Sequence, residues 1–394
     1  MKEIYLDNAA TTRVHPQVAE KMMDTMLNNY GNPSSLHRLG IRAEQAVKEV
    51  RELVAATINC QSQDIYFTSG GTEGNNMIIK GIVENKQRSR MRIITSATEH
   101  PSVLDVFSFY EEHQIEVVVL GVDEQGHIDL DELKATMNAS TILVSIMGVN
   151  NELGTIQDLK AIGRIVKQAN PNCVFHSDFV QGYMKIPIDV EACQLDALTM
   201  CSHKIFGPKG AGAVYIKKGI NLKPLLRGGG QENNMRSGTE NVPGIVGFGE
   251  AIRLRKESYL DELEAIRELR SRLIRGLEDQ VEDIKVNGDP NGSPYVLNVS
   301  FNRVRGEVLL HSLEAKGIYV STGSACSSHK KEKQYVLKAI GLLEEYKEGT
   351  IRISFSKDIT KEDADETVRA IAEAVASLRL LIKARRKNKS QEKN

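Results

Sequence analysis

The chain has 394 residues, 41% of them hydrophobic and 26% charged, with Lys plus Arg at 51 and Asp plus Glu at 52. That is enough apolar material to exclude a disordered body and to fill one large domain and a smaller one. A formal net charge of −1 gives no overall pull toward nucleic acid or an anionic membrane surface, and no apolar run reaches the ~18 residues of a membrane-spanning helix.

The opening residues, MKEIYLDNAATT, lack the apolar core of a signal peptide and carry Glu3 and Asp7. Residues 38–56 place apolar side chains at the spacing of a long amphipathic helix. From about 60 to 216, short β-branched runs bounded by Gly, Asn, Pro or Asp alternate with helical patterns. The runs at 64–68, 92–95, 116–120, 141–147, 173–177, 197–200 and 213–216 read as seven strands. Helices are expected over 72–84, 101–114, 130–137 and 159–169, with Pro101 suited to a first helical turn. This alternation predicts an α/β fold with a seven-stranded, mostly parallel sheet covered by helices on both faces.

Residues 249–282 are charged and free of proline, and read as one long helix leading out of this body. A strand, a polar turn and a second strand follow within 283–301. Then come a helix over 307–316, a loop over 321–334, a strand over 350–355 and a last helix from about 361. The expected division is a large domain over 15–250 and a smaller α+β domain made of 1–14 and 251–394. That smaller domain ends in a basic, frayed tail over 383–394.

The five cysteines are Cys60, Cys173, Cys193, Cys201 and Cys326. They are odd in number, scattered, and form no CxxC pair, which argues against a disulfide framework and a structural zinc site. A reducing, cytoplasmic compartment is the simplest reading. Cys326 stands apart. It lies in STGSACSSHKKEKQ, a small and polar run beside His329, Lys330 and Lys331, where neighbouring cations favour the thiolate. The other four sit in or beside element patterns or a strand end.

Ligands of open α/β sheets bind beyond the carboxyl ends of the strands, so the residues that follow each strand matter most. They are Ser69-Gly70-Gly71-Thr72, Glu99-His100-Pro101, Asn150-Asn151-Glu152, Asp178 with Gln181 one turn on, and Cys201-Ser202-His203-Lys204. Gly70-Gly71-Thr72 at a helix start can hold a phosphate, or can simply be a strand–helix turn with Thr72 as cap. Lys204 can form a Schiff base if its neighbours depress its pKa; otherwise it is a surface lysine. Asp178 can keep a ring nitrogen protonated, or cap the next helix. His100 can stack on a flat cofactor and move protons, or pack. Arg352 can clamp a carboxylate bidentately, or sit in a surface ion pair. The sequence has no Walker A motif. GPKGAG at 207–212 precedes a strand, so a dinucleotide fingerprint is absent too, which disfavours NAD. A phosphate cradle, a lysine, an aspartate and a histidine at successive strand ends match what pyridoxal phosphate requires.

With these residues in hand, the chain resembles the NifS/IscS-type cysteine desulfurases, pyridoxal-phosphate enzymes of the aminotransferase-like superfamily (fold type I). The motifs that carry the resemblance are YLDNAATT, GNPSSLH at 31–37, SGGTEGNN at 69–76, TEHPSV at 98–103, VNNELGTIQ at 149–157, SHKIFGPKG at 202–210, GGGQENNMRSGTENVP at 228–243 and GSACSS at 323–328. The resemblance implies that Lys204 carries the cofactor, Asp178 pairs with its ring nitrogen, Gln181 bonds its phenolic oxygen, and His100 stacks on the ring and acts as acid and base. It implies that Gly71, Thr72 and His203 hold the phosphate, with Thr239 of the partner subunit of a homodimer. Asn151 and Arg352 would bind the substrate carboxylate region. Cys326, on a long loop that must move, would take the sulfur of L-cysteine as a persulfide and hand it to an acceptor, an iron–sulfur scaffold or a tRNA-thiolation enzyme. No resident metal is implied, Cys326 being at most a transient iron–sulfur ligand shared with a scaffold. No direct nucleic-acid or membrane contact is implied either. One departure stands out: the family usually has Ser two residues before His203, and here that position is Cys201, a poorer phosphate donor, with Ser202 as the hydroxyl that could compensate. The basic tail does not resemble the partner-docking end of the IscS branch. A selenocysteine lyase, a C–S β-lyase and a non-catalytic sulfur scaffold remain as other readings.

Overall fold

The computed structural model describes residues 2–86, 90–256, 259–322 and 334–391. The chain opens with a two-residue strand, β1 (Ile4–Tyr5), and then α1 (Pro16–Asn28) and α2 (Arg38–Ile58). An α/β body follows: β2 (Ile65–Thr68), α3 (Gly71–Asn85), β3 (Arg92–Ser96), α4 (Pro101–Glu112), β4 (Glu116–Leu120), α5 (Leu130–Thr136), β5 (Thr141–Ser145), α6 (Leu159–Ala169), β6 (Val174–Asp178), β7 (Ala197–Cys201) and β8 (Gly212–Ile216). These seven strands, β2 to β8, form one sheet in the order β2-β8-β7-β6-β5-β3-β4. All neighbours are parallel except β8, which runs against both β2 and β7. Every residue of β5, β6, β7 and β8 is buried, the pattern of strands covered on both faces. The edge strand β4 alternates far less cleanly and leaves Val119 exposed.

The expected helix over 249–282 is two helices, α7 (Val242–Lys256) and α8 (Tyr259–Gln280). The reason lies in the cores they join. Ile245, Phe248 and Ile252 of α7 pack with the α/β body, while Ile266, Leu269 and Leu273 of α8 belong to a second core. That core is closed by β9 (Ile284–Asn287), β10 (Val296–Phe301), α9 (Gly306–Glu314), β11 (Ile318–Tyr319), and, after α10 (Tyr335–Ala339) and α11 (Glu344–Lys347), which pack in a small separate cluster around Leu153, by β12 (Thr350–Ser354) and α12 (Lys361–Gln391). Strand β10 sits between β9 and β12, antiparallel to both. The backbone of the basic tail continues α12 to Gln391 instead of fraying from 383; the segment holds neither Gly nor Pro to stop it. Strand β1 pairs in parallel with β11, so Ile4 and Leu6 fill the second core while the residues just after them return to the first body.

A buried ion pair marks the junction of the two cores. Arg255 Nη1 donates to both carboxylate oxygens of Glu262 at 2.6 Å, and Nη2 donates to the Met184 carbonyl at 2.9 Å and to the Tyr295 hydroxyl at 3.2 Å. Removing one partner strands the other charge away from water. Arg255→Met is therefore expected to cost about 3–5 kcal/mol in urea unfolding, with much of the loss recovered in the Arg255→Met, Glu262→Leu double variant. Additive losses in the double variant would show that the pair does not act as a unit.

Candidate active site

One cavity of about 790 Å³ opens at the carboxyl ends of the parallel strands, between the two cores. Helix α3 points its start into it. Gly70, at φ +153°, supplies no side-chain cap, and a Cβ on Gly71 would lie 2.7 Å from Val180 Cγ2. The first backbone N–H groups of α3 therefore face the cavity without a capping side chain, which is the arrangement that binds a phosphate. Glu73 does not fill this role. Burial pushes its carboxyl up, but bonds from Arg236 and from Ser69 hold it below the ordinary carboxylate range and outside the cavity lining.

Asp178 ends β6 and is nearly buried. Its Oδ1 accepts from Val180 N at 3.0 Å and its Oδ2 from Asn75 Nδ2 at 2.7 Å. Asn75 also donates to Ser102 Oγ at 2.8 Å, and Ser102 Oγ lies 2.8 Å from His100 Nδ1. Ser102 N donates to the same ring nitrogen at 3.1 Å. With two donors on Nδ1, the proton of a neutral His100 belongs on Nε2. Burial pushes the His100 pKa down, Lys204 adds to this, and Asp178 opposes it, so the ring is neutral near pH 7.

The floor of the cavity is the N-terminal segment. Lys204 Nζ donates to the Ala9 and Ala10 carbonyls at 2.6 and 2.5 Å, and Gln181 Nε2 donates to Ala9 at 2.9 Å. Lys185 Nζ approaches Gln181 Oε1 at 3.5 Å. Burial pushes Lys185 down to about 7, helped by the charges of Lys204 and Arg255. His203 Nδ1 lies 3.2 Å from Thr11 Oγ1, and burial with the nearby lysines pushes the ring down to about 4. On the opposite wall, Arg352 Nη1 donates to the Asn151 carbonyl at 3.0 Å and Nη2 to Asp7 Oδ1 at 2.8 Å. Beside Asn151, burial pushes the Glu152 carboxyl up to about 7 against the pull of Arg352.

Nine residues expected from the sequence thus share one wall-to-wall cavity: Gly71, Thr72, His100, Asn151, Asp178, Gln181, His203, Lys204 and Arg352. Cys201 and Ser202 are fully buried outside its lining. Burial pushes the Cys201 thiol up to about 11, so it stays neutral, and Ser202 Oγ donates to the Pro208 carbonyl inside its own turn. Thr239 is exposed and lies outside the lining. Cys326 and most of the loop expected over 321–334 fall outside the described residues. Sequence reasoning missed Asn75, Ser102 and the carbonyls of Ala9 and Ala10, and gave Glu152, named after its strand, no role. Asn75 was legible in SGGTEGNN, one helical turn after Gly71; backbone carbonyls leave no such trace.

Residues 4–367 match the family described as aminotransferase class-V. The chain is 42% identical over 381 residues to cysteine desulfurase IscS of Dictyoglomus turgidum, covering 96% of each. Its fold is similar to a solved NifS-like protein, with a TM-score of 0.90, 38% identity, and 95% of this chain and 100% of that one covered. It is also similar to SspA in complex with cysteine, with a TM-score of 0.80, 32% identity, and coverage of 90% and 99%.

One buried acid beside the cavity makes a prediction about stability. Glu99 Oε1 accepts from Ser96 Oγ at 2.8 Å and from Met147 N at 2.7 Å, while Oε2 has no partner among the described residues. Burial pushes the carboxyl up from 4.5 to about 8. Between those values the folded chain keeps a proton that the unfolded chain loses, so stability falls as pH rises, by up to ~1.4 kcal/mol per pH unit. Glu99→Gln, which keeps the shape of the protonated acid, is expected to make that decline shallower in urea unfolding from about pH 5 to about pH 8. Parallel curves for the two proteins would mean that Glu99 ionises normally in the folded chain.

Proposed function

The chain belongs to the class-V aminotransferase family, and we infer that it is a pyridoxal-phosphate-dependent cysteine desulfurase, which converts L-cysteine to L-alanine and leaves a persulfide on Cys326. The observation that carries this reading is the convergence of Lys204, Asp178 and His100 on one cavity faced by the uncapped start of α3. The donor set fits the cofactor: an anion site with no room for a Cβ, a carboxylate already held by two N–H donors, and an amine within the same cavity.

Bound pyridoxal phosphate supplies the electron sink that loosens the bonds at Cα and Cβ of cysteine. The residues do the rest. Gly71 and Thr72 hold the phosphate with backbone N–H groups and the helix dipole, and His203 adds a neutral ring. Asp178 keeps a proton on the ring nitrogen, Gln181 donates to the phenolic oxygen, and His100 stacks and relays protons. Asn151 and Arg352 hold the substrate carboxylate. The Lys204 amine anchors the cofactor and then takes the Cα proton. The Cys326 thiolate attacks the substrate sulfur. A sulfur–sulfur bond forms as the carbon–sulfur bond breaks, the electron pair stays on carbon, and protonation there yields alanine.

The working unit is a homodimer in which Thr239 reaches the phosphate of the partner's site. Support comes from Thr239, which is exposed and outside the lining of its own cavity, and from Met23, Met26, Leu27 and Tyr30, large apolar side chains left exposed on and after α1. The persulfide passes to acceptor proteins for iron–sulfur cluster assembly, tRNA thiolation or both, in the cytoplasm. Among the described residues, no helix is long and apolar enough to cross a membrane.

Three experiments test this reading. Wild-type protein should absorb in the visible, and borohydride should label Lys204. Cys326→Ser should keep that absorbance and respond to cysteine, yet form almost no alanine and carry no added sulfur at 326. Alanine and sulfide released at the wild-type rate by Cys326→Ser would make the enzyme a C–S β-lyase, and borohydride labelling of another lysine would overturn the site. For the dimer, mixing inactive Lys204→Ala with inactive Thr239→Ala subunits should restore part of the activity. Full activity in a verified monomer would contradict the shared site.

A further inference from the structure

Arg352 sits in the middle of β12, and its guanidinium is held from outside the cavity it serves. Asp7 is the carboxylate that holds it, at 2.8 Å from Nη2, and Asp7 is not part of the cavity lining. The backbone around Asp7 is stitched to β12 two residues beyond Arg352. Ser354 N donates to the Leu6 carbonyl at 2.7 Å, Asn8 Nδ2 donates to the Ser354 carbonyl at 2.9 Å, and Ala9 N donates to Ser354 Oγ at 2.8 Å. On β12, as on any strand, residues two apart share a face, so this stitching sets where the Asp7 carboxylate meets the Arg352 side chain. The second anchor, the Asn151 carbonyl, fixes Nη1 from the other direction. Two of the five guanidinium N–H groups are committed to these anchors, and among the described residues Nε has no partner.

We propose that Asp7 is a positioning residue for recognition of the substrate carboxylate: it orders the Arg352 guanidinium before substrate arrives and leaves the donors on the cavity side to the ligand. The inference rests on the reading of Arg352 as the carboxylate-binding residue. A loose arginine would have to lose its rotamer freedom on binding; one already pinned between Asp7 and Asn151 does not. The carboxylate of Asp7 contributes an acceptor at a fixed place, which an asparagine Oδ1 can also supply.

The test uses the cofactor-loaded enzyme with Asp7→Ala, Asp7→Asn and Arg352→Ala. Asp7→Ala is expected to raise the KM for L-cysteine about tenfold, the worth of one charge-assisted hydrogen bond, with kcat and the visible absorbance little changed. Asp7→Asn should bring the KM back to within about threefold of wild type, since it keeps the acceptor. Cysteamine has the amine and thiol but no carboxylate, so its binding, followed by the change in visible absorbance, should be the same in wild type and Asp7→Ala. An unchanged KM in Asp7→Ala, or equal weakening of cysteine and cysteamine, would overturn the proposal. If Arg352→Ala itself leaves cysteine binding intact, the carboxylate site lies elsewhere and both readings fall. If Arg352→Ala weakens it and Asp7→Ala does not, only the role of Asp7 falls.

Discussion

The contact on which the site depends is that of the Lys204 amine with two backbone carbonyls, those of Ala9 and Ala10. Lys204 follows β7 in the first core, whereas the carbonyls belong to a segment anchored through β1 in the second. The same ten or so residues reach Gln181, His203 and Arg352. An amine and an imidazole from the turn after β7, an amide from the turn after β6 and a guanidinium from β12 are thus set against one piece of backbone. The relative placement of the two cores and the geometry of the site are therefore a single constraint, reinforced at a distance by the buried Arg255–Glu262 pair.

Around this floor, burial shifts several ionisable groups toward their uncharged forms. Glu99 and Glu152 are pushed up, and Lys185, His100 and His203 are pushed down. His176, in the centre of β6, is pushed down to about 3 by burial alone and is satisfied by Ser145 and Thr199 as a neutral ring. A low-dielectric wall of neutral partners strengthens whatever charge remains in the cavity. In the same buried setting Asp178 has two N–H donors of its own, from Val180 and Asn75, which satisfy both of its oxygens.

Much of this was legible in the sequence, and the physical reason is periodicity. Strands buried on both faces read as continuous β-branched runs, and all seven appeared within one or two residues of their observed bounds. The rule that ligands sit beyond strand ends then pointed to His100, Asn151, Asp178 and Lys204, which line one cavity. In the fold, what escaped was of three kinds. Two-residue strands such as β1 and β11 are too short to carry a period. Helix α1 buries only Val18 and Thr25, so it leaves little core signature. The break between α7 and α8 reflects a change of packing partner, which local composition does not encode. Asn75 and Ser102 escaped for another reason: their importance lies in a relay that only the fold assembles, from Asp178 to His100.

The pairing of β1 with β11 has a consequence for how the protein comes into being. Ile4 leaves the ribosome well before its strand partner, Ile318, which is made more than three hundred residues later. At about 5–20 residues per second that is a wait of roughly 15–60 seconds. Throughout that time the seven-stranded body can be complete, with Lys204 and Asp178 in place, while the segment that forms its floor is still without a strand to join. The nascent chain therefore holds most of its chemistry before it holds its geometry, and the site is finished from both ends of the polypeptide at once.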